Sequence, residues 1–214
     1  MSYPISVNLK GRVCLVVGGG KVAERKIKSL LTHRAQVRLV SPEATETLQK
    51  LAEDGRIDWR REAYMAGGTG ALDDVFLVMA CTDNRTVNAE VTRDAQARQR
   101  LVLCADDPDA GNFSSLAQIM RGDLSLTVST GGGSPTLAAV LRERLEAEFG
   151  PEWAELTALI SRRRDQLKAI ADEVERKAAV RRVLDDAEVH SLLLDGRHLE
   201  AEARIRKCLF LSSE

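Results

Sequence analysis

A continuous apolar run, Val13-Cys14-Leu15-Val16-Val17, breaks without transition into Gly18-Gly19-Gly20 and then into Lys21-Val22-Ala23-Glu24-Arg25-Lys26. Ile27, Leu30 and Leu31 follow at helical spacing. Few folds accept that succession. It reads as a buried strand, a tight turn and a helix N-terminus, the opening of a βαβ unit. Gly18, Gly20 and Ala23 fit the form G-x-G-x-x-A. The first glycine permits the sharp turn, the second leaves room for a pyrophosphate, and the alanine lets the helix pack close to the strand. The unpaired N–H groups and dipole of the helix start then face the phosphates. Adjacent glycines can also form an ordinary loop. Their place near the N-terminus, with a second strand at the expected distance, favours a dinucleotide cofactor.

The following segments extend a parallel sheet. Gln36 to Val40 reads as the second strand, closed by Ser41-Pro42. In dinucleotide folds an acid at that strand end binds the adenosine ribose. Here the place holds Ser41, Pro42 and Glu43, and nearby Arg34 and Arg38 are each able to favour a 2′-phosphate, so NAD and NADP both stay open. Glu43 to Asp54 reads as helix, Ile57 to Arg60 as a short strand, and Met65 to Gly70 as a glycine-rich segment. Val75 to Ala80 is the most uniformly apolar run, as expected of a central parallel strand covered on both faces. It leads into Cys81-Thr82-Asp83-Asn84, at the carboxyl end where ligands sit in such sheets. Thr82 and Asn84 either touch the cofactor or cap the next helix, Arg85 to Arg98. Leu101 to Cys104 is another buried strand, and the loop Asp106 to Phe113 follows it. Upstream, Ile5 to Leu9 reads as a short strand or extended arm.

Beyond Ala105 the pattern changes. Ser115 to Met120 and Leu124 to Ser129 alternate like strands, with Arg121-Gly122-Asp123 as the turn of a hairpin. Ser134 is the expected cap and Pro135 the expected first residue of a helix running to Phe149. Glu152 to Ser212 is helical in pattern, with Arg162-Arg163-Arg164 and Arg181-Arg182 read as solvated faces. Asp185-Asp186 and Asp195-Gly196 are cap and turn sites.

Composition narrows the function by exclusion. A net charge of −1 over 214 residues gives no reason to expect a polyanionic partner such as nucleic acid. No apolar run reaches the roughly 20 residues of a membrane helix, and Met1 to Lys10 lacks the layout of a signal peptide, so a cytoplasmic protein is expected. Cys14, Cys81, Cys104 and Cys208 form no C-x-x-C pair, and His33, His190 and His198 are dispersed. A purpose-built metal site is not expected.

Taken in order, VVGGGKVAERK, CTDNRTVN, ADDPDAGNF, the hairpin and STGGGSP before a helix resemble the precorrin-2 dehydrogenase and sirohydrochlorin ferrochelatase family, the module fused to a methyltransferase in siroheme synthases. The likeness is strong over residues 3 to 145, and the free-standing form is expected. It implies an α/β fold: an N-terminal Rossmann NAD-binding domain (1–113), a dimerisation region (114–149) and a C-terminal helical domain (150–214). It further implies a homodimer that oxidises precorrin-2 to sirohydrochlorin with NAD, ferrous iron being inserted by some members. By position, Asp106 matches an aspartate implicated in catalysis, and Lys21, Val22, Pro42 and Glu43 match cofactor contacts. Thr130 matches a serine that is phosphorylated in some relatives. The usual Asn-Val before the aspartate is replaced by Leu103-Cys104-Ala105, and Thr130 keeps the hydroxyl.

A carboxylate near the cofactor suits the chemistry, because dehydrogenation sends a proton away with the hydride. Asp106 is the expected base, its alternative role being turn-former in Asp-Asp-Pro, and Asp107 is the adjacent competitor. The substrate's carboxylates call for basic side chains, with Arg121, Arg142 and Arg162 to Arg164 as candidates beside Thr130. A protein that binds nucleotide and tetrapyrrole without catalysis is the alternative on the same fold.

Overall fold

The computed structural model describes residues 3–67 and 70–210. Gly68 and Thr69, within the glycine-rich segment read above, lie outside the described residues. The chain divides into two compact units, Met1–Ser115 and Leu116–Glu214.

The first unit runs β1 (Val13–Val17), α1 (Lys21–Thr32), β2 (Gln36–Val40), α2 (Glu46–Glu53), β3 (Asp58–Arg60), β4 (Leu77–Ala80), α3 (Arg85–Ala97) and β5 (Leu101–Cys104). Its five strands are parallel in the order β3-β2-β1-β4-β5. Continuous apolar strands demand cover on both faces, and alternate residues divide accordingly. Cys14, Val16, Leu77, Met79 and Leu103 pack with Ala23, Ile27 and Leu30 of α1 and Leu48 and Leu51 of α2. Leu15, Val17, Val78, Ala80, Val102 and Cys104 pack on the other face with Val91 and Ala95 of α3. Each fully buried aliphatic side chain contributes about 1.5–3 kcal/mol.

Three sequence expectations change. Residues 5–9 form no strand, although Leu9 packs on the core. The second helix starts at Glu46 rather than Glu43, because the Thr45 side chain caps it by accepting from the Leu48 N–H. The Ser41 hydroxyl meanwhile turns the preceding residues by donating to the Glu43 carbonyl, 2.7 Å away. The central strand begins at Leu77 rather than Val75.

The outer edge of β5 is not left open. Asn112 accepts from the Val102 N–H at 2.7 Å through its side chain and donates to the Arg100 carbonyl at 2.9 Å. Its backbone N–H reaches the Val102 carbonyl at 2.9 Å. One asparagine thus stands in for a missing strand, and the loop after β5 is folded back along it.

The second unit begins with an antiparallel hairpin, β6 (Ala117–Arg121) and β7 (Leu124–Val128). Its turn is the pair Gly122-Asp123, and Gly122 takes φ 57° as a tight hairpin requires. Arg121 therefore ends the strand instead of opening the turn. Helix α4 (Pro135–Glu148) follows, with Pro135 at its start and the Ser134 side chain accepting from the Leu137 N–H. The remaining helices are α5 (Glu152–Ser161), α6 (Arg164–Ala169), α7 (Glu173–Leu184), α8 (Ala187–Leu194) and α9 (His198–Leu209). They enclose Leu156, Leu159, Val183, Val189, Ile205 and Leu209. Asp186 caps α8 as its position in the sequence suggested. Among the described residues, no helix is long and apolar enough to cross a membrane.

Candidate functional site

Parallel pairing aligns the carboxyl ends of the strands. Val17 stands beside Val40 and Ala80, and Ala80 beside Cys104. The loops that leave them therefore meet along one rim, and strand order reverses between β1 and β4, where such sheets bind ligands.

The three glycines at this rim answer to three different constraints. Gly18 takes φ 107°, and a Cβ there would lie 2.5 Å from the Cys81 carbonyl oxygen. A Cβ on Gly19 would collide with the Glu43 carbonyl oxygen, with the Glu43 carbonyl carbon and the Ala44 Cα both 2.9 Å away. Gly20 has open space where its Cβ would be. The middle glycine, a free position in the motif, is thus held by the loop after β2. Gly20 also caps α1 with no side-chain hydrogen bond, whereas Thr45 and Asn84 cap α2 and α3 through their side chains. The first amides of α1 are left without a side-chain acceptor, beside a cradle that a Cβ would fill. That arrangement fits a pyrophosphate. Lys21 and Val22 are exposed there, and Ala23 is buried against the strand.

Glu24, one residue on, was not singled out from the sequence. It is 8% exposed, 2.6 Å from Lys28 Nζ and 2.7 Å from the Thr45 hydroxyl. The hydrogen bonds from Lys28 and then Thr45 hold its carboxyl down at about 2. Because Thr45 also caps α2, this carboxylate ties the glycine-turn helix to the loop after β2.

At the adenosine end, Ser41 is buried while Pro42 and Glu43 are exposed. Neither arginine considered for a 2′-phosphate is free to meet one. Arg38 is 13% exposed, its guanidinium 2.8 and 3.1 Å from Asp74, 3.3 Å from Asp58 and 3.2 Å from the Ala71 carbonyl. Arg34 lies before the first residue of β2, at the opposite end of the strand. The cations at the correct end are Arg60 and Arg61, absent from the sequence reading. The Arg60 carbonyl accepts from the Ser41 N–H at 3.2 Å. Arg61 lies over the Trp59 ring at 4.2 Å, and Trp59 Nε1 donates to the Ser41 carbonyl at 2.9 Å.

At the β4 and β5 ends, Asn84 is a cap, its side chain accepting from the Thr86 and Val87 N–H groups. The Thr82 hydroxyl lies 3.0 Å from the Asn84 carbonyl and 2.8 Å from Asn88 Oδ1. Asp106 projects from the loop after β5, its side chain 28% exposed. Its Oδ1 accepts from Asn88 Nδ2 at 2.7 Å and from the Cys104 thiol at 3.1 Å. Arg85 Nε is 3.8 Å from Oδ2. Burial pushes the Asp106 carboxyl up, but the Cys104 and Asn88 hydrogen bonds, with Arg85 beyond them, bring it below the usual carboxylate range. Burial and the neighbouring carboxylate push the Cys104 thiol up. Asp107 is the turn-former of the pair, accepting from the Ala110 N–H with both its carbonyl and its side chain. Asn88 and Cys104 were not read as functional. The available signal was a polar residue on the buried stripe of α3, where Asn88 and Thr92 stand among Val91 and Ala95.

The remaining candidates belong to the second unit. Arg121 is engaged otherwise than expected: its guanidinium donates to the Phe149, Gly150, Met120 and Glu146 carbonyls at 2.9–3.4 Å and closes the end of α4. Arg142 pairs with Glu146 at 2.8 Å on the α4 surface. Arg162 pairs with Glu155, the half-buried Arg163 pairs with Glu202, and Arg164 is exposed. The Thr130 hydroxyl donates to the Ser134 carbonyl at 3.0 Å and accepts from the Ser134 N–H at 3.1 Å, closing the loop before α4. Among the described residues, no group of three or more His, Cys, Asp or Glu side chains is arranged to hold a metal.

Comparison with known proteins adds a family. Residues 5–117 match the model of a family described as "Putative NAD(P)-binding", and residues 121–148 match one described as "Sirohaem biosynthesis protein central". Siroheme synthase of Xylella fastidiosa (strain M12) is 37% identical over 207 residues, which cover 97% of this chain and 43% of that protein. Siroheme synthase of Neisseria meningitidis serogroup C is 38% identical over 167 residues, 78% of this chain and 34% of that protein. The chain spans less than half the length of these relatives. Among solved structures it resembles SirC, precorrin-2 dehydrogenase, with a TM-score of 0.74 at 28% identity over 96% of this chain and all of that one.

Proposed function

Since the chain belongs to the precorrin-2 dehydrogenase and sirohydrochlorin ferrochelatase family, we propose that it oxidises precorrin-2 to sirohydrochlorin with NAD as the hydride acceptor. The observation that carries this reading is Asp106, an ionised carboxylate held at the carboxyl rim beside the loop that leaves β4. Gly20, Lys21 and Val22 would hold the pyrophosphate, with Gly18 and the buried Ala23 shaping the turn and helix packing, Pro42 and Glu43 at the adenosine end and Thr82 toward the nicotinamide. Bound there, a nicotinamide supplies the acceptor for the hydride. Asp106 takes the proton that leaves the macrocycle, as a positioned general base. NAD rather than NADP is favoured by the engagement of Arg38 with Asp58 and Asp74, which removes one partner for a 2′-phosphate. Thr130 and Arg142 remain the candidates for the substrate's carboxylates in the second unit. Iron, where it is inserted, enters as a substrate and is a separate reaction.

The same reading makes the protein a cytoplasmic homodimer joined through residues 114–149, with residues 150–214 as its helical domain. Two features support the dimer. The hairpin has only two strands among the described residues and, although it packs on α4 and α5, buries only Ile119 of its strand residues. Helix α4 buries only Ala138, leaving Leu137 and Val140 half exposed. A second copy covering both would remove these edges. Four unpaired cysteines suit a reducing compartment.

The test is an anaerobic assay of the purified protein with precorrin-2 and NAD. NADH and the sirohydrochlorin spectrum should appear together. Asp106→Asn should slow both by about 100-fold or more. Unchanged turnover in that variant would remove the assigned base.

A further inference from the structure

Asn88 lies on α3 with none of its surface exposed, yet none of its polar capacity is unmet. Its Nδ2 donates to the Thr82 carbonyl at 3.0 Å and to Asp106 Oδ1 at 2.7 Å. Its Oδ1 accepts from the Thr82 N–H at 3.1 Å and stands 2.8 Å from the Thr82 hydroxyl. These four contacts exhaust what an amide offers. They also fix its orientation, because a flipped amide would set oxygen against the Thr82 carbonyl and Asp106 while facing an N–H with nitrogen. Asn88 therefore binds the loop after β4 to the loop after β5. From the opposite side, the Cys104 thiol reaches the same carboxylate oxygen at 3.1 Å. Among the described residues, the nearest partner of Oδ2 is the exposed Arg85, at 3.8 Å.

We propose that Asn88 and Cys104 are positioning residues that hold Asp106 by Oδ1 and leave Oδ2 as the oxygen that accepts the substrate's proton. The proposal rests on the dehydrogenase reading for the use of that oxygen, while the anchoring itself is a property of the unliganded protein. It gives two buried residues a joint task. Cys104 adds a donor where an apolar side chain would pack equally well, and Asn88 sets the separation between the base and the Thr82 loop. The charged and titratable groups that act on Asp106 are Cys104 on β5, Arg85 on α3 and Cys81 after β4. Only Cys104 among these is within hydrogen-bond distance.

Two measurements test it together. Carboxyl 13C titration of the unliganded protein should place Asp106 below the ordinary aspartate value of about 3.9. Cys104→Val, which deletes the donor and adds one methyl-sized group, should move that inflection up by about 1 pH unit, equivalent to a tenfold change in proton affinity. Asn88→Ser should do the same, and Cys104→Ser should restore the wild-type position by supplying a hydroxyl donor. With precorrin-2 and NAD, Cys104→Val should lower kcat about tenfold with both KM values within about twofold, and its acid limb should move up in step with the titration. An unmoved Asp106 inflection in folded Cys104→Val would overturn the anchoring, whatever the turnover. Should Asn88→Ser fail to fold, the two Cys104 variants still decide. Wild-type protein that shows the shifted titration but never oxidises precorrin-2 would sink the assignment of Oδ2 as acceptor and the functional reading with it. A moved inflection with unchanged kcat in Cys104→Val would sink the positioning role alone.

Discussion

Substituting alanine at Gly19 and at Gly20 should produce opposite phenotypes, although the two glycines are neighbours in one motif. At Gly19 the new methyl meets backbone only: the Glu43 carbonyl carbon and the Ala44 Cα at 2.9 Å, and the Glu43 oxygen closer still. That backbone has little freedom to retreat. The Thr45 N–H donates to the Gly19 carbonyl at 3.0 Å, and the Ser41 hydroxyl holds the Glu43 carbonyl at 2.7 Å. Overpacking of this kind costs about 1–3 kcal/mol, or roughly 3–10 °C of melting temperature in a chain of this length. At Gly20 a methyl enters open space, and the backbone, φ −82° and ψ −173°, is one that alanine adopts without strain. Stability should stay within about 0.5 kcal/mol of wild type. The methyl would nevertheless stand in front of the α1 amides, so NAD affinity should fall at least tenfold, about 1.4 kcal/mol. Thermal melting and calorimetric titration with NAD, run on both variants, separate the cases. Wild-type melting in Gly19→Ala, or undiminished NAD affinity in Gly20→Ala, would show that the turn does not work as argued.

Two further outcomes follow from buried charge. Glu24 is held at about 2 in the folded protein against an ordinary 4.5, so its contribution is fully present above pH 4.5 and is lost as pH falls toward 2. The melting difference between wild type and Glu24→Gln should therefore be constant near neutrality and close across that acid window; a difference that persists at the acid end would contradict the assignment. Arg121→Ala should cost roughly 1–3 kcal/mol by releasing the carbonyls at the end of α4, with the KM for precorrin-2 within about twofold. A tenfold rise in KM with unchanged melting would return Arg121 to the substrate.

What the sequence revealed depended on the range over which each residue's partners lie. β1, α1, β2 and β5 run between the residues that local signals indicated, because apolar runs, glycines and a proline bound them directly. The start of α2 is set by the Thr45 cap, and Thr45 is held in place by the Gly19 carbonyl, which accepts from its N–H across the sheet rim. Arg38 looked available because it is near the strand end in sequence. Its partners, Asp58 and Asp74, come from β3 and from the approach to β4, and only the folded sheet brings them in. Arg121 likewise serves carbonyls 25 to 29 residues away. Asp106 was named from the sequence through resemblance to a family, whereas Asn88 left only the weaker trace of an amide on an apolar helical stripe.

Two of the missed residues do the same kind of work. Glu24 joins the glycine-turn helix to the cap of α2, and Asn88 joins the loop after β4 to the carboxylate after β5. An apolar side chain at either place could fill the space. Hydrophobic contact is non-directional, however, and would set no fixed distance between the loops it touched. Hydrogen bonds to named atoms do set one, at separations of 2.6–3.1 Å. The parallel sheet fixes where the loops begin, and these two side chains fix how the loops face one another. The facing of the loops at the rim therefore depends on polar residues within the helices beneath them. Damage to Asn88 should appear first in turnover and pH response, whereas damage to Glu24 should appear in melting that depends on acid pH.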